Sequence, residues 1–250
     1  MAFDINNFII DRIVRGVALS QKDDSVLFSI NQIQNASLNC ASESTDAVDA
    51  MGTPIATFYR AKSCEFSAEN ALFDMNLMAT QLGTAKKVAS AEAKVIAPAM
   101  ESFTAKGGNH ILKHVPVAAP AEIYAINGDS TFGKKYVKKT AVSETAFVYN
   151  EDDNSIDLPE GVEDGTEMFV MYEYETENAV EVVNAATNFP VGCKFVMEVL
   201  GCDVCDQTNL VYAYVIFNNA KLSPDFDWSI ATDGTHPFSM KAQQDYCDKE

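Results

Sequence analysis

Apolar side chains recur at every second position in short runs along most of this chain, the period of strands with one face buried. Val26, Phe28 and Ile30 form one such run, entered through a turn-prone segment at 21–25. Another strand is expected around residues 36–40. Ile55, Thr57 and Tyr59 then alternate with Ala56, Phe58 and Arg60, and Cys64 and Phe66 flank Glu65 in the same way. Further strands are predicted at 94–105, around Ile123, Tyr124 and Ile126, at Tyr136 and Val137, from Phe147 to Tyr149, and along EMFVMYEYETE. Near the end, two long strands are joined by a hairpin around residues 201–209. Two shorter ones follow around 228–231 and 238–242, with Asp233-Gly234 as the turn between them.

One segment departs from this period and predicts a single helix at about 67–83. Ser67 stands where an N-cap belongs, because its hydroxyl can accept a hydrogen bond from an unpaired first-turn amide. Glu69 falls in the first turn, where the helix dipole favours an anion. Leu72, Met75, Ala79 and Leu82 recur at helical spacing and supply an apolar packing face. Gly83 follows as the residue best able to turn left-handed and end the helix.

Two stretches lack a core pattern. Residues 1–15 read as an arm or first strand rather than a signal peptide, since no basic region precedes the apolar stretch and Asp11 and Arg12 interrupt it. In that stretch Asn6 and Asn7 precede Phe8, Ile9 and Ile10, an apolar patch that must land on a partner or on the fold. Residues 40–52, CASESTDAVDAMG, carry Glu43, Asp46 and Asp49 and no base, and are expected to be a long polar connection between two strands. Val48 and Met51 are its only larger apolar side chains.

Composition narrows the function classes. A chain of 250 residues with 47% hydrophobic content can bury a full core. Its formal net charge of −18 argues against binding nucleic acid phosphates or anionic membranes. The charge is also uneven. Lys134, Lys135, Lys138 and Lys139 cluster, whereas residues 140–193 hold thirteen acids and no Lys or Arg. Glu173, Glu175 and Glu177 are the candidates there for an acidic surface. No apolar run is long enough to span a bilayer as a helix.

Chemistry-bearing motifs fail on context. Cys202 and Cys205 form a CxxC at a hairpin tip, without the second ligand pair a zinc ribbon needs. The six cysteines (Cys40, Cys64, Cys193, Cys202, Cys205 and Cys247) are most simply free thiols of a reducing compartment. His110 and His114 stand four apart, but Gly107, Gly108 and Pro116 bracket them too closely for a metal-binding helix, and His236 is isolated. No catalytic residue, metal site or cofactor is expected.

The polar stretch running into GTPIATFYRAKSCEFSAENALFDMNLMATQLG resembles the core of the tail tube (major tail) proteins of long-tailed bacteriophages. The C-terminal NFPVGCKFVMEVLG and LVYAYVIFNNAKLSPDFDWSIATDGTHPFSMKAQQDY are similar to the end of that family, and GTEMFVMYEYETENAVEVVNAATNFP to the strand leading back into its tube domain. The resemblance implies a mainly β fold, a β-sandwich or barrel flanked by one helix. Residues 1–112 and 180–250 would form the tube domain, and 113–179 a β-rich acidic insertion or extension of it. It further implies a homo-oligomer of hexameric rings stacked into a tube for passage of viral DNA, without specific DNA binding and without a membrane. Tape measure, tail terminator and distal tail proteins would be its partners, and it would be assembled in the host cytoplasm into the virion tail. The connection at 41–53 would reach the neighbouring ring, with Val48 and Met51 as anchors and Glu43, Asp46 and Asp49 meeting bases. Two rivals predict otherwise: a capsid decoration or adhesin-like β module would stay a discrete monomer or trimer, and a thiol or zinc enzyme would hold metal or a reactive thiol at Cys202 and Cys205.

Overall fold

The computed structural model describes residues 7–244. In chain order the elements are β1 (Phe8–Ser20), β2 (Val26–Ile30), β3 (Ile33–Val48), β4 (Pro54–Asn70) and the one helix, α1 (Met75–Gln81). Then come β5 (Lys87–Val88), β6 (Val95–Thr104), β7 (Asn109–Ile111), β8 (Glu122–Ile126), β9 (Phe132–Lys138), β10 (Ala146–Asn150), β11 (Ser155–Asp157), β12 (Glu167–Thr176) and β13 (Val180–Glu181). The chain finishes with β14 (Gly192–Asp203), β15 (Asp206–Leu222) and β16 (His236–Ala242). The fold is mainly β with curled sheets and one helix, as the sequence pattern and the resemblance lead one to expect.

The chain divides into two compact units. One runs up to Lys86 and resumes at Val182; the other is Lys87–Glu181. The second unit therefore begins at Lys87 and not at residue 113. The reason is pairing: β6 runs antiparallel to β12 along its whole length, from Val95 opposite Thr176 to Thr104 opposite Glu167.

The first unit is one seven-stranded sheet in the order β2-β1-β14-β15-β16-β4-β3. Phe195, Met197 and Val199 alternate along β14 with partly buried or outward residues, and Phe195 lies opposite Ala18 of β1 and Phe217 of β15. The core is built on five phenylalanines, Phe28, Phe66, Phe195, Phe217 and Phe238, whose neighbouring rings lie 5.7–6.5 Å apart. Each ring taken out of water contributes about 1.5–3 kcal/mol, so the cluster is a large part of what holds the unit together.

The helix is shorter than the sequence predicts, and differently capped. Ser67 lies in β4, opposite Ser239 of β16 and Ser37 of β3. Because two strands pair with it, β4 continues to Asn70. The cap is Asp74, whose carboxylate accepts a 2.7 Å hydrogen bond from the Leu77 amide. Leu72 therefore precedes the helix and is exposed, and Met75 is exposed as well. Ala79 and Leu82 are buried as expected, but Leu77 and Gln81 complete the inward face. Gly83 does adopt a left-handed φ of +64°, and a Cβ there would collide with the Phe189 backbone.

Residues 228–231 do not form the strand expected there. Trp228 stacks on Phe73 at 4.2 Å, and Phe73 on His236 at 5.0 Å. His236 is fully buried, in contact with Gln81 through Nε2 at 2.8 Å, and its Nδ1 accepts from the Asp74 amide at 3.4 Å. That arrangement puts the ring proton on Nε2, where it donates to Gln81. Burial pushes the imidazole below its ordinary 6.5, against a smaller opposing pull from Asp74. The unfolded chain then binds a proton that the folded one resists, so stability falls as pH drops below about 6.5. Urea midpoints for this unit are expected to decline between pH 7.5 and 5.5, and to decline less in His236→Gln.

The second unit is a seven-stranded sheet ordered β6-β12-β8-β9-β10-β11-β7, with β5 paired to β13 where the chain enters and leaves it. Ile123, Phe147, Ile156, Met168 and Val170 are buried at its centre. Glu101 is buried beside them. Burial alone would raise its carboxyl, but hydrogen bonds from His110, the Lys113 amide and Tyr172 prevail and hold it below the usual range. Tyr172 is pushed up to about 12, chiefly by burial. His110 and His114 are thus packing residues: His110 stacks on Phe103 at 3.7 Å and His114 on Tyr174 at 3.9 Å.

The cysteines differ in one respect from the expectation of six free thiols. Cys40 and Cys64 stand directly opposite on β3 and β4, 4.2 Å apart at Cα, and are joined by a disulfide. Spacing of 24 residues carries no sign of such a pairing until the register of the two strands is known. Cys193 and Cys202 are buried free thiols, Cys205 is an exposed one, and Cys247 lies outside the described residues.

Candidate assembly surfaces

β3 and β4 pair antiparallel from Ile33 opposite Asn70 out to Val48 opposite Pro54. The next strand in the sheet, β16, accompanies β4 only from Asn70 to Glu65. From Cys64 outward the two strands continue alone as an arm whose residues are exposed, Cys64 itself being half-buried. The expected irregular connection at 41–53 is therefore mostly strand, and only residues 49–53 form the turn. A ribbon solvated on both faces needs no apolar alternation, which is why these residues read as a loop.

The tip is an ordered turn. The Asp49 carboxylate accepts from the Thr53 amide at 2.9 Å and the Met51 amide at 2.8 Å, and these two bonds hold it below the ordinary carboxylate range. Met51 is 91% exposed at the apex. Among the other sequence candidates, Glu43 lies opposite Arg60, Asp46 opposite Thr57, and Val48 opposite Pro54. All five candidates thus share the outer part of one arm. With them come side chains that sequence reasoning did not single out: Ile55, Phe58 and Tyr59, each more than half exposed. Large apolar groups thus gather on one solvated ribbon, beyond the singly scattered apolar residues of an ordinary surface.

A second surface lies on the free face of the same sheet. Leu210, Tyr212, Tyr214 and Ile216 alternate along β15 with partly buried Val211, Ala213 and Val215, and all four are exposed. Beside them Arg15 donates to Glu198 at 2.7 Å and Tyr214 donates to the same carboxylate at 3.1 Å, which holds Glu198 below its ordinary range. The signal was available in LVYAYVIF, apolar at nearly every position, since such a run belongs to a strand covered on both faces. The edge of β15 is also open: among the described residues it pairs with β16 only at Ala220, Lys221 and Leu222.

Glu173, Glu175 and Glu177 belong to the other unit. Glu173 and Glu175 are exposed on β12, with Lys94 3.6 Å from Glu175, and Glu177 is exposed just beyond the strand. The structure does not place them on the arm's sheet. Cys202 ends inside β14, while Cys205 sits in the hairpin turn with its amide bonded to the Asp203 carboxylate at 2.8 Å. Among the described residues no group of His, Cys, Asp and Glu has the grouping of a metal site.

A model of the YomU/Tube protein family matches residues 8–249, which takes in both units. The chain belongs to the YomU/Tube protein family. This is a phage tube-like family of structural proteins, as the resemblance of residues 52–83 and of the C-terminal strands implies. The YomU/Tube match includes residues 87–181, so the second unit lies within the matched span. No curated protein matches the chain. No helix among the described residues is long and apolar enough to cross a membrane.

Proposed function

We propose that this protein polymerises as stacked hexameric rings into a phage tail tube through which viral DNA passes. The observation that carries the reading is the arm, a paired ribbon with Val48, Met51, Ile55, Phe58 and Tyr59 exposed, rooted in the sheet of a tube-family chain. Within a ring, the open β15 edge would pair with a neighbouring copy, which would remove an unpaired strand edge that soluble proteins otherwise guard. Between rings, the arm would reach the next layer, with Val48 and Met51 as anchors and Glu43, Asp46 and Asp49 against bases. Head-to-tail contacts of this kind do not close, and so they extend into a filament.

The channel wall is read as net negative, in keeping with a charge of −18. Screening at cellular salt has a length of about 8 Å, so acids in a narrow bore would keep DNA from adhering. Glu173, Glu175 and Glu177 stand as candidates for that wall or for the outer surface. Assembly in the host cytoplasm with tape measure, terminator and distal tail proteins completes the reading. Negative-stain microscopy of the purified protein, seeded with a tail-initiating template, tests it. Tubes with a central channel are the expected result; a compact monomer or trimer at high concentration would overturn it in favour of a decoration or adhesin-like module.

A further inference from the structure

The disulfide sits at one particular place on the arm. β16 stops supporting β4 at Glu65, and the very next residue, Cys64, is bonded across to Cys40. Beyond this point lie only two strands, solvated on both faces, with bulges between Ser42 and Glu43 and between Ala47 and Val48, and with Ala61 at a φ of +27°. A two-stranded ribbon with no third strand and nothing packed against it is marginal in water. A cross-link at its root limits how far the two strands can separate. Cys40 is exposed, so reductant has access to the bond.

We propose that Cys40 and Cys64 form a reversible thiol–disulfide site that sets the order of the arm. Closed, it presents the ribbon ready-made to a second copy; open, it lets the strands separate beyond Glu65. The second-copy half of this statement rests on the tube reading, whereas the effect on arm order does not. The step is a thiol–disulfide exchange. A thiolate of a small dithiol attacks one sulfur and the Cys40–Cys64 bond breaks. The second thiol of the reductant then displaces the mixed disulfide, leaving two cysteine thiols and a cyclic disulfide, with two electrons passed to the protein. Closure is the reverse, with a small-molecule disulfide such as oxidised glutathione taking the two electrons and leaving as two thiols.

The arm carries its own reporters, since Arg60 and Lys62 are trypsin sites on β4 beyond the bond. The full-length protein, oxidised with glutathione disulfide or reduced with dithiothreitol, is digested briefly and the cuts are mapped by mass spectrometry. Reduction is expected to speed cleavage at Arg60 and Lys62 about tenfold or more, with cuts elsewhere unchanged. The double variant Cys40→Ser, Cys64→Ser is expected to cut at the reduced rate in both conditions. In the oxidised protein iodoacetamide should label Cys205 but neither Cys40 nor Cys64. Equal cleavage in the two conditions, a serine variant that still responds, or labelling of Cys40 and Cys64 without reduction would each overturn the proposal. Microscopy on the same samples separates the two ideas. Arm cleavage that responds to reduction while tubes form regardless would leave the redox site standing and remove the arm from stacking. Tubes with no redox response at the arm would do the opposite.

Discussion

Replacing residues 42–62 by Asn-Gly is expected to abolish tube formation while leaving the subunit folded. The cut leaves Ala41 and Ser63 directly opposite each other, a pairing that a two-residue hairpin can close, and it keeps Cys40 and Cys64. It removes no residue of the phenylalanine core, whose nearest member is Phe66. The thermal midpoint should therefore move by only a few degrees, consistent with surface changes of about 0.5 kcal/mol. The loss of assembly should be complete, because Val48, Met51, Ile55, Phe58 and Tyr59 leave together. Thermal melts followed by circular dichroism and negative-stain microscopy of the same preparation make the check. Tubes of normal length from the shortened chain would mean that rings stack through some other surface.

Phe195→Ala should have the largest effect on stability. Its ring lies 5.7 Å from Phe66, 6.3 Å from both Phe28 and Phe238, and 6.4 Å from Phe217. It also covers Gly16, where an added Cβ would come within 2.8 Å of the ring. Removing it leaves a cavity bounded on several sides by side chains that cannot all move in. The expected cost is about 3–5 kcal/mol, a large part of the roughly 5–15 kcal/mol that holds a typical domain together. Urea unfolding of the variant against wild type measures it. A loss below about 1 kcal/mol would show that the cluster is not the organising core of the first unit.

What could be read from sequence divides along a physical line. Phe28 and Ile30 of β2 and Phe195, Met197 and Val199 of β14 are legible because one face of each strand meets a core and burial writes a period of two into the residues, whereas Val26 is exposed and β15 is apolar on both faces. Of the arm, the β4 half reads as strand, but the β3 half does not, for the opposite reason. Pairing and one cross-link at its root are its support, and pairing leaves no trace in a segment such as ASESTDAV, so Glu43, Asp46 and Val48 read as loop although they lie in β3, whereas Asp49 and Met51 do belong to the turn. The helix was misplaced at its start because Ser67 and Glu69 form a plausible cap, and only the distant β16 keeps them in a strand. Asp74, three residues before Leu77, was the local sign of the true cap. The Cys40–Cys64 bond and the Phe73–Trp228 stack likewise depend on register and on long-range packing that spacing does not encode.

The pairing of β1 with β14, which sets Phe8 opposite Asp203, also fixes an order of events during synthesis. At a translation rate of about 5–20 residues per second, β1 must wait roughly 10–40 s for its partner strand to be made. In that interval its edge is an unpaired template carrying Ile9, Ile10 and Ile13. The intervening Lys87–Glu181 unit, by contrast, has all of its strands available before β14 is made. The ribosome thus delivers a chain that has a complete inserted unit and an incomplete tube sheet. It follows that the time at which strands of neighbouring polysomal chains are most exposed to mispairing lies between the emergence of residue 20 and that of residue 203.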